Sequence, residues 1–345
     1  LARLGDEFNS LVEAYGRIVI GEVFQGVASK TIKPVEGKGI AGGQKYVVQG
    51  VFLKFASVAS STGAAVYAGA EHAAKASGHE VKTYNAIHDD AVACGLSQPM
   101  VVVVDYHGFR LQACSLVPIS PPCTLVYGSA DAGMSFVTSD AAAARAAEDL
   151  GCRLRLQPHP VGDLKTPCAL AADVEVHRAA GRLWLLDPAR LFAPTAPSVA
   201  PAGKPFAGQH LTQLFRGEYL KTVPPLSPDW CSRFASRCPE SEAFREAAMD
   251  ATRHLVEAVI PELASSAALE FAHDGGPLVR CLAMVHSLHA AGVNMRWLGL
   301  LHSLMAPGNS RDLVAVELVA RCARKELDAM MRSIAGETLL PVHEP

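Results

Sequence analysis

Lys54 stands in Val51-Phe52-Leu53-Lys54-Phe55, a run of β-favouring residues that places an ammonium on a strand. Asp187 follows the apolar strand Arg182–Leu186 and precedes Pro188, so its carboxylate falls at a strand end where a turn begins. From there a carboxylate can hold Mg²⁺ on ATP while a strand lysine contacts the phosphates. Glu71 or Glu80 is the candidate helix partner of the lysine. Asp173, Glu175 and His177, just upstream, are placed to act as base or positioning group. Phosphoryl transfer needs these parts: a cation for the phosphates, a carboxylate for the metal, and a group that orients the nucleophile. Plainer roles compete. A strand lysine usually carries its charge out to solvent, an Asp before Pro commonly starts a turn, and Asp187 with Arg190 makes a simple structural ion pair. There is no G-x-x-x-x-G-K-[ST], and the glycine-rich stretch Gly37–Gly43 lacks G-x-G-x-x-G spacing.

Other residue sets carry less chemistry. His286 and His289 stand three apart on one helix, but no cysteine or carboxylate is paired with them, so helix packing explains them better than a metal. Ser129 near Asp131 lacks the G-x-S-x-G elbow of a hydrolase. Arg296 beside Trp297 could stack on a base, though an arginine covering an aromatic between helices is the commoner arrangement. Nine cysteines are scattered with no C-x-x-C among them, the usage expected of reduced thiols.

The elements that must position these groups fall into two textures. Up to Ala193 the chain is strand-rich. Residues 46–55 read as one strand, and 64–77 as an alanine-rich helix stopped by Gly78. Val101–Asp105 and Phe109–Val117 form a hairpin through His107-Gly108, and Thr124–Tyr127 is a short strand. Asp140 caps a helix to Leu150, and a second hairpin pairs Asp173–His177 with Arg182–Leu186 through Ala180-Gly181. Pro194 to Pro205 holds four prolines in twelve residues and reads as a connector. Beyond it, helical periodicity runs through 210–223, 241–259, 278–291 and 312–334. The expected class is α+β, with a strand-rich front, a helical back, and a kinase-like two-lobed arrangement as one form it can take. The expected divisions are 1–193, a connector at 194–206, a helical unit at 207–336 and a tail at 337–345.

A net charge of −3 advertises no global attraction for nucleic acid. No apolar run reaches the ~20 residues that a membrane-spanning helix needs, and Arg17–Val27, with Glu22 and two glycines, is not a signal segment. The opening on Leu1 rather than Met suggests a fragment.

Three stretches, in order, resemble the CLU domain of the clustered mitochondria protein family. The first is Val103-Val104-Asp105-Tyr106-His107-Gly108-Phe109-Arg110, with Ser115–Pro118 and Val126–Asp131 after it. The second runs from Asp173–His177 through Gly181-Arg182 to Leu186-Asp187-Pro188-Ala189-Arg190-Leu191-Phe192-Ala193-Pro194, and the third is Gly292-Val293-Asn294-Met295-Arg296-Trp297-Leu298-Gly299. The resemblance covers about residues 80 to 330. It implies a cytoplasmic protein that binds messenger RNAs for mitochondrial proteins, influences mitochondrial distribution and associates with a translation initiation complex. The expected function is therefore a non-enzymatic scaffold or RNA–protein interaction unit, needing no cofactor, with Arg110, Arg190 and Arg296 as candidate contacts to RNA or partner. The alternative is a kinase-like ATP and Mg²⁺ binder or phosphotransferase using Lys54, Glu80 and Asp187, with Asp173, Glu175 and His177 as its catalytic group.

Overall fold

The computed structural model describes residues 2–35, 43–57, 67–120, 124–131, 135–162, 165–197, 208–231, 240–270 and 276–339. The expected loop Gly37–Gly43 lies almost wholly outside them, as does much of the proline-rich connector.

The front of the molecule is helix α1 (Ala2–Gly21) packed on an antiparallel sheet ordered β1-β2-β5-β4. Its strands are β1 (Lys45–Val48), β2 (Val51–Phe55), β4 (Val101–Tyr106) and β5 (Phe109–Ser115). Phe8, Val12, Val19 and Ile20 of α1 share a core with Tyr46, Val51, Leu53, Phe55, Leu111 and Ala113. Strand alternation then sends Phe52, Lys54, Arg110, Gln112 and Cys114 to the opposite face. The stretch expected as one strand over 46–55 is instead a hairpin. Gln49 and Gly50 adopt φ of +48° and +76°, the left-handed pair that turns a chain back in two residues.

Helix α2 (Ala70–Ala86) lies across the second face of this sheet and leads through α3 (His88–Ala93) into the second sheet. That sheet is ordered β3-β11-β10-β6-β7, built from β3 (Leu96–Ser97), β6 (Leu125–Gly128), β7 (Val137–Thr138), β10 (Glu175–Ala179) and β11 (Arg182–Leu186). Helix α4 (Ala141–Arg153) packs beside it, and β8 (His159–Val161) and β9 (Thr166–Cys168) pair separately. The expected hairpins at His107-Gly108 and Ala180-Gly181 are present with positive φ at both turn residues. Asp140 caps α4, its Oδ1 accepting from the amides of Ala142 (2.9 Å) and Ala143 (3.1 Å).

Gly78 does not stop α2. A side chain there would sit 3.1 Å from Arg110 Nη1, and the bare backbone lets that guanidinium donate to the Ala74 carbonyl at 3.0 Å. The glycine marks a close approach, which a sequence reading cannot tell from a cap.

The back half is helical: α5 (Gly217–Leu220), α6 (Ser241–His254), α7 (Ile260–Glu270), α8 (Pro277–Ala290), α9 (Leu298–Leu304) and α10 (Asn309–Leu339). A π-helical turn at Leu255–Val259 joins α6 to α7. The helix expected over 210–223 is reduced to the four residues of α5. The backbone of 213–215 pairs instead with 193–195, through Thr195 N–H to Gln213 and Phe215 N–H to Ala193, both 2.8 Å. This extended pairing satisfies donors a helix would otherwise hold. One core runs across both textures, from Ile87, Leu150 and Leu185 to Tyr219, Trp297 and Val314. α10 returns to the front sheet, where Arg332 Nη1 donates to the Gly108 carbonyl at 2.6 Å.

Candidate functional site

Lys54 is placed by register, facing Lys45 across β1–β2 and Gln112 across β2–β5. Two lysines directly opposite each other destabilise a sheet by mutual repulsion, so strand pairing alone does not account for them. Glu80 is placed by α2, which two hydrogen bonds fix between the sheets. Arg110 holds the Ala74 carbonyl on the front side, and the Tyr84 hydroxyl donates to the Leu185 carbonyl at 3.1 Å on the other. Asp187 comes two residues after that carbonyl. It has φ +53° and caps the single 3₁₀ turn Pro188–Arg190, on which α2 packs.

Asp187 and Glu80 lie near enough to Lys54 for their charges to act on it. Burial works against the charge on Lys54, yet the nearby Asp187 and then Glu80 carboxylates hold its pKa above the ordinary lysine value. Asp187 is open to solvent, but protein crowds around its carboxyl, the situation of a group on a cleft floor. That desolvation, the Glu80 charge beside it and the more distant Asp173 and Glu175 push its pKa up to about 7, against the pull of Lys54. Cys114, on the same sheet face, is pushed up to about 12 by burial and by Glu80.

The residues expected to act beside them are differently employed. Arg190 pairs with Asp173 rather than Asp187, donating from Nε and Nη2 at 2.8 and 2.7 Å, and reaches Asp229 Oδ1 at 3.2 Å. Asp229, fully buried, also accepts from the Ala172 amide and meets His159 Nε2, each at 2.8 Å. Burial alone would raise its pKa, but Arg190 and His159 hold it well below the carboxylate range. His177 is buried completely, with one ring nitrogen at 3.0 Å from Thr124 Oγ1 and the other at 2.9 Å from Glu175 Oε2. Asp173 and Glu175 reach the Asp187 carboxylate through charge; the His177 ring is enclosed within the sheet.

Arg110 is held by Asp105, with both contacts 2.6 Å. Arg296 lies over the Trp297 ring with 5.3 Å to its centroid, and donates to the Leu214 carbonyl at 3.1 Å. Burial lowers its pKa to about 10. Glu71 turns to Lys75 (2.7 Å) and Lys325 (3.0 Å), which leaves Glu80 as the α2 carboxylate in the cleft.

A second constellation lies on the other side of α2. Lys82 is exposed to solvent. Burial lowers its pKa, and the charges that weigh on it, Arg216, Arg110, Arg321 and Lys75, are all positive. His289 of α8 is brought down to about 4 by burial and then by Arg216. His79, whose Nε2 lies 2.9 Å from the Thr212 carbonyl, also falls to about 4 through burial and then Lys82. Both imidazoles are therefore neutral at pH 7. Carboxylates are present but engaged, Glu218 with Arg216 at 2.7 Å and Glu317 with Arg321 at 2.6 Å. Sequence reasoning missed this cluster because its members come from α2, β5, the start of α5, α8 and α10, far apart in the chain. The only signal was a lysine three residues after His79 with no acid four residues away on either side.

Among the described residues no three His, Cys, Asp or Glu side chains are grouped to hold a metal ion. None of the described helices is long and apolar enough to cross a membrane.

The family model for clustered mitochondria proteins matches residues 1–197, more than half of the 345 residues. The chain belongs to the clustered mitochondria family. The match begins at the first residue, so α1 and the β1–β2 hairpin are part of the CLU domain along with the two motifs carrying Arg110 and Arg190. The family model described as translation initiation factor eIF3 subunit 135 matches residues 276–341. That stretch holds α8, α9 and α10 and the third motif, Gly292–Gly299. No curated protein and no solved structure matches the chain. Its relation is therefore to a clustered-mitochondria and translation-related group of proteins.

Proposed function

We propose that this chain is an RNA–protein interaction module of a cytoplasmic clustered mitochondria protein, a scaffold that holds messenger RNA near the translation initiation machinery. The observation that carries this reading is the cationic cluster beside α2. Lys82 is an exposed ammonium whose strongest charged neighbours, Arg216, Arg110, Arg321 and Lys75, are cations, a local excess that draws in a polyanion even though the whole chain carries −3. The match of residues 276–341 to a translation-factor family supports the protein side of the role. So does the outer face of α10, where Val316, Leu327, Met330 and Ile334 are exposed at helical spacing. The family resemblance supplies messages for mitochondrial proteins as the expected RNA.

The test is fluorescence anisotropy with a single-stranded RNA of about 15 nucleotides, read across a salt series. Two to three phosphates neutralised by Lys82, Arg216 and Arg321 give a slope of log K on log salt of about −2. Lys82→Glu with Arg321→Glu should flatten that slope and weaken binding at least tenfold at low salt. Binding that ignores salt, or that survives the double reversal unchanged, refutes the cluster as the RNA site.

A further inference from the structure

The cluster of Lys54, Glu80 and Asp187 is not used by this reading. Behind it, hydrogen bonds join Arg190 to Asp173 and to Asp229, and Asp229 to the Ala172 amide. In front of them, Glu80 and Asp187 make no ion pair with Lys54 among the described residues, although each is near enough for its charge to reach the lysine. The cleft thus has two walls of opposite sign: Lys45 and Lys54 side by side on the front sheet, and Glu80 and Asp187 on the helix and the second sheet.

A lone anion would be repelled from the carboxylate wall and a lone cation from the lysine wall. A ligand that carries both charges fits both. Mg²⁺ ordinarily keeps several waters and is held by one or two carboxylates together with substrate phosphates, rather than by a cage of protein ligands alone. Among the described residues Glu80 and Asp187 are not part of a group of three metal-ligating side chains, and two carboxylates match that mode. Strand lysine, helix glutamate and strand-end aspartate also stand in the order and on the element types that position phosphates and metal in phosphoryl-transfer folds.

We propose that this cleft binds the divalent-cation complex of a nucleoside triphosphate, with Lys54 facing the phosphates and Asp187 and Glu80 facing the metal. The proposal concerns binding alone. It stands apart from RNA binding, whose residues lie across α2.

The experiment is a thermal-shift titration of the purified chain with ATP and MgCl₂, alongside equilibrium dialysis of labelled ATP. ATP with Mg²⁺ together should raise the melting temperature. ATP in EDTA, or Mg²⁺ alone, should raise it by less than a third as much. AMP and inorganic triphosphate distinguish the sources: triphosphate binding as tightly as ATP would overturn the nucleoside part of the proposal, and AMP binding as tightly would overturn its phosphate part. Asp187→Asn and Lys54→Met should each weaken binding at least tenfold, while Arg145→Ala, on the exposed side of α4, should leave it unchanged. Should either cleft variant fail to fold, Glu80→Gln and Mn²⁺-enhanced water-proton relaxation of the unaltered chain replace it, with relaxation rising only when ATP is added. No bound ATP at millimolar concentration, or equal binding by Asp187→Asn and Lys54→Met, overturns the site.

Discussion

Replacing Asp229 with alanine should destabilise the whole molecule by about 3–5 kcal/mol, because the residue ties the chain before the connector to the chain after it. Its carboxylate is 1% exposed and serves Ala172, His159 and Arg190, all of which lie before Pro194 in the chain. The alanine variant leaves the Ala172 amide buried without an acceptor, a loss of about 1–3 kcal/mol. It also removes a counter-ion of Arg190, and breaking a buried pair costs about 3–5 kcal/mol when the partner is left alone. Arg190 keeps its two-pronged contact with Asp173, so the second loss is partial and the two together fall within the stated range. An unfolding entropy of about 2.1 cal/mol/K per residue, over 345 residues, is about 0.7 kcal/mol/K. A loss of 4 kcal/mol then lowers Tm by about 5–6 °C. The assay is differential scanning calorimetry of both proteins, with Asp229→Asn as an intermediate because its amide oxygen still serves the Ala172 amide. A variant melting within 1 °C of the parent refutes the reasoning. So does a two-phase melt in which one phase stays in place, since that would mean the ionic unit does not join the two halves.

Two further outcomes are expected. Gly108 has φ +75°, and a side chain there would come 2.2 Å from the Asp328 carbonyl, so Gly108→Ala must strain the turn and push α10 away. A loss of about 2–4 kcal/mol, read by urea unfolding, is expected; an unchanged midpoint would show that α10 does not rest on the hairpin. Glu71 has a pKa of about 2, since hydrogen bonds and charge from Lys75 and Lys325 outweigh the upward effect of burial. A depressed folded-state value contributes stability above the unfolded pKa and loses it as pH falls through the folded one. The gap in urea midpoint between the parent and Glu71→Gln should therefore be full above pH 5 and close between about pH 4.5 and 2. A gap that persists at pH 2 would assign the effect to packing instead.

Legibility in the sequence tracked the range of the interactions involved. The two-residue turns His107-Gly108 and Ala180-Gly181 and the Asp140 cap were readable because each depends on a few neighbouring residues. The β1–β2 turn was missed because Gln49-Gly50 is a weaker turn signal than Asn-Gly or Asp-Gly inside a β-favouring run. The helix over 210–223 was misread because its apolar spacing was real, but residues 193–195 compete for its backbone, and no local pattern reports a strand partner twenty residues away. Lys54, Glu80 and Asp187 are legible as candidates through chemical type, on a strand, on a helix and at a strand end. The partner of Arg190 was not found, since Asp229 lies 39 residues downstream, past the proline-rich stretch.

Helix α2 explains how one element serves two sites of opposite character. Glu80 and Lys82 are two residues apart, about 200° around a helix, so their side chains cannot share a face. The carboxylate therefore enters the cleft between the sheets while the ammonium turns toward α5, α8 and α10. Tyr84, one turn beyond Glu80 on the same side, fixes that rotation through its bond to Leu185. Breaking this bond with Tyr84→Phe would loosen both sites at once, whereas Asp187→Asn and Lys82→Glu each change one charge on one side. The proposed nucleotide and RNA sites should thus fail independently, and a loss of both from Asp187→Asn alone would mean that α2 is not the rigid divider its anchors imply.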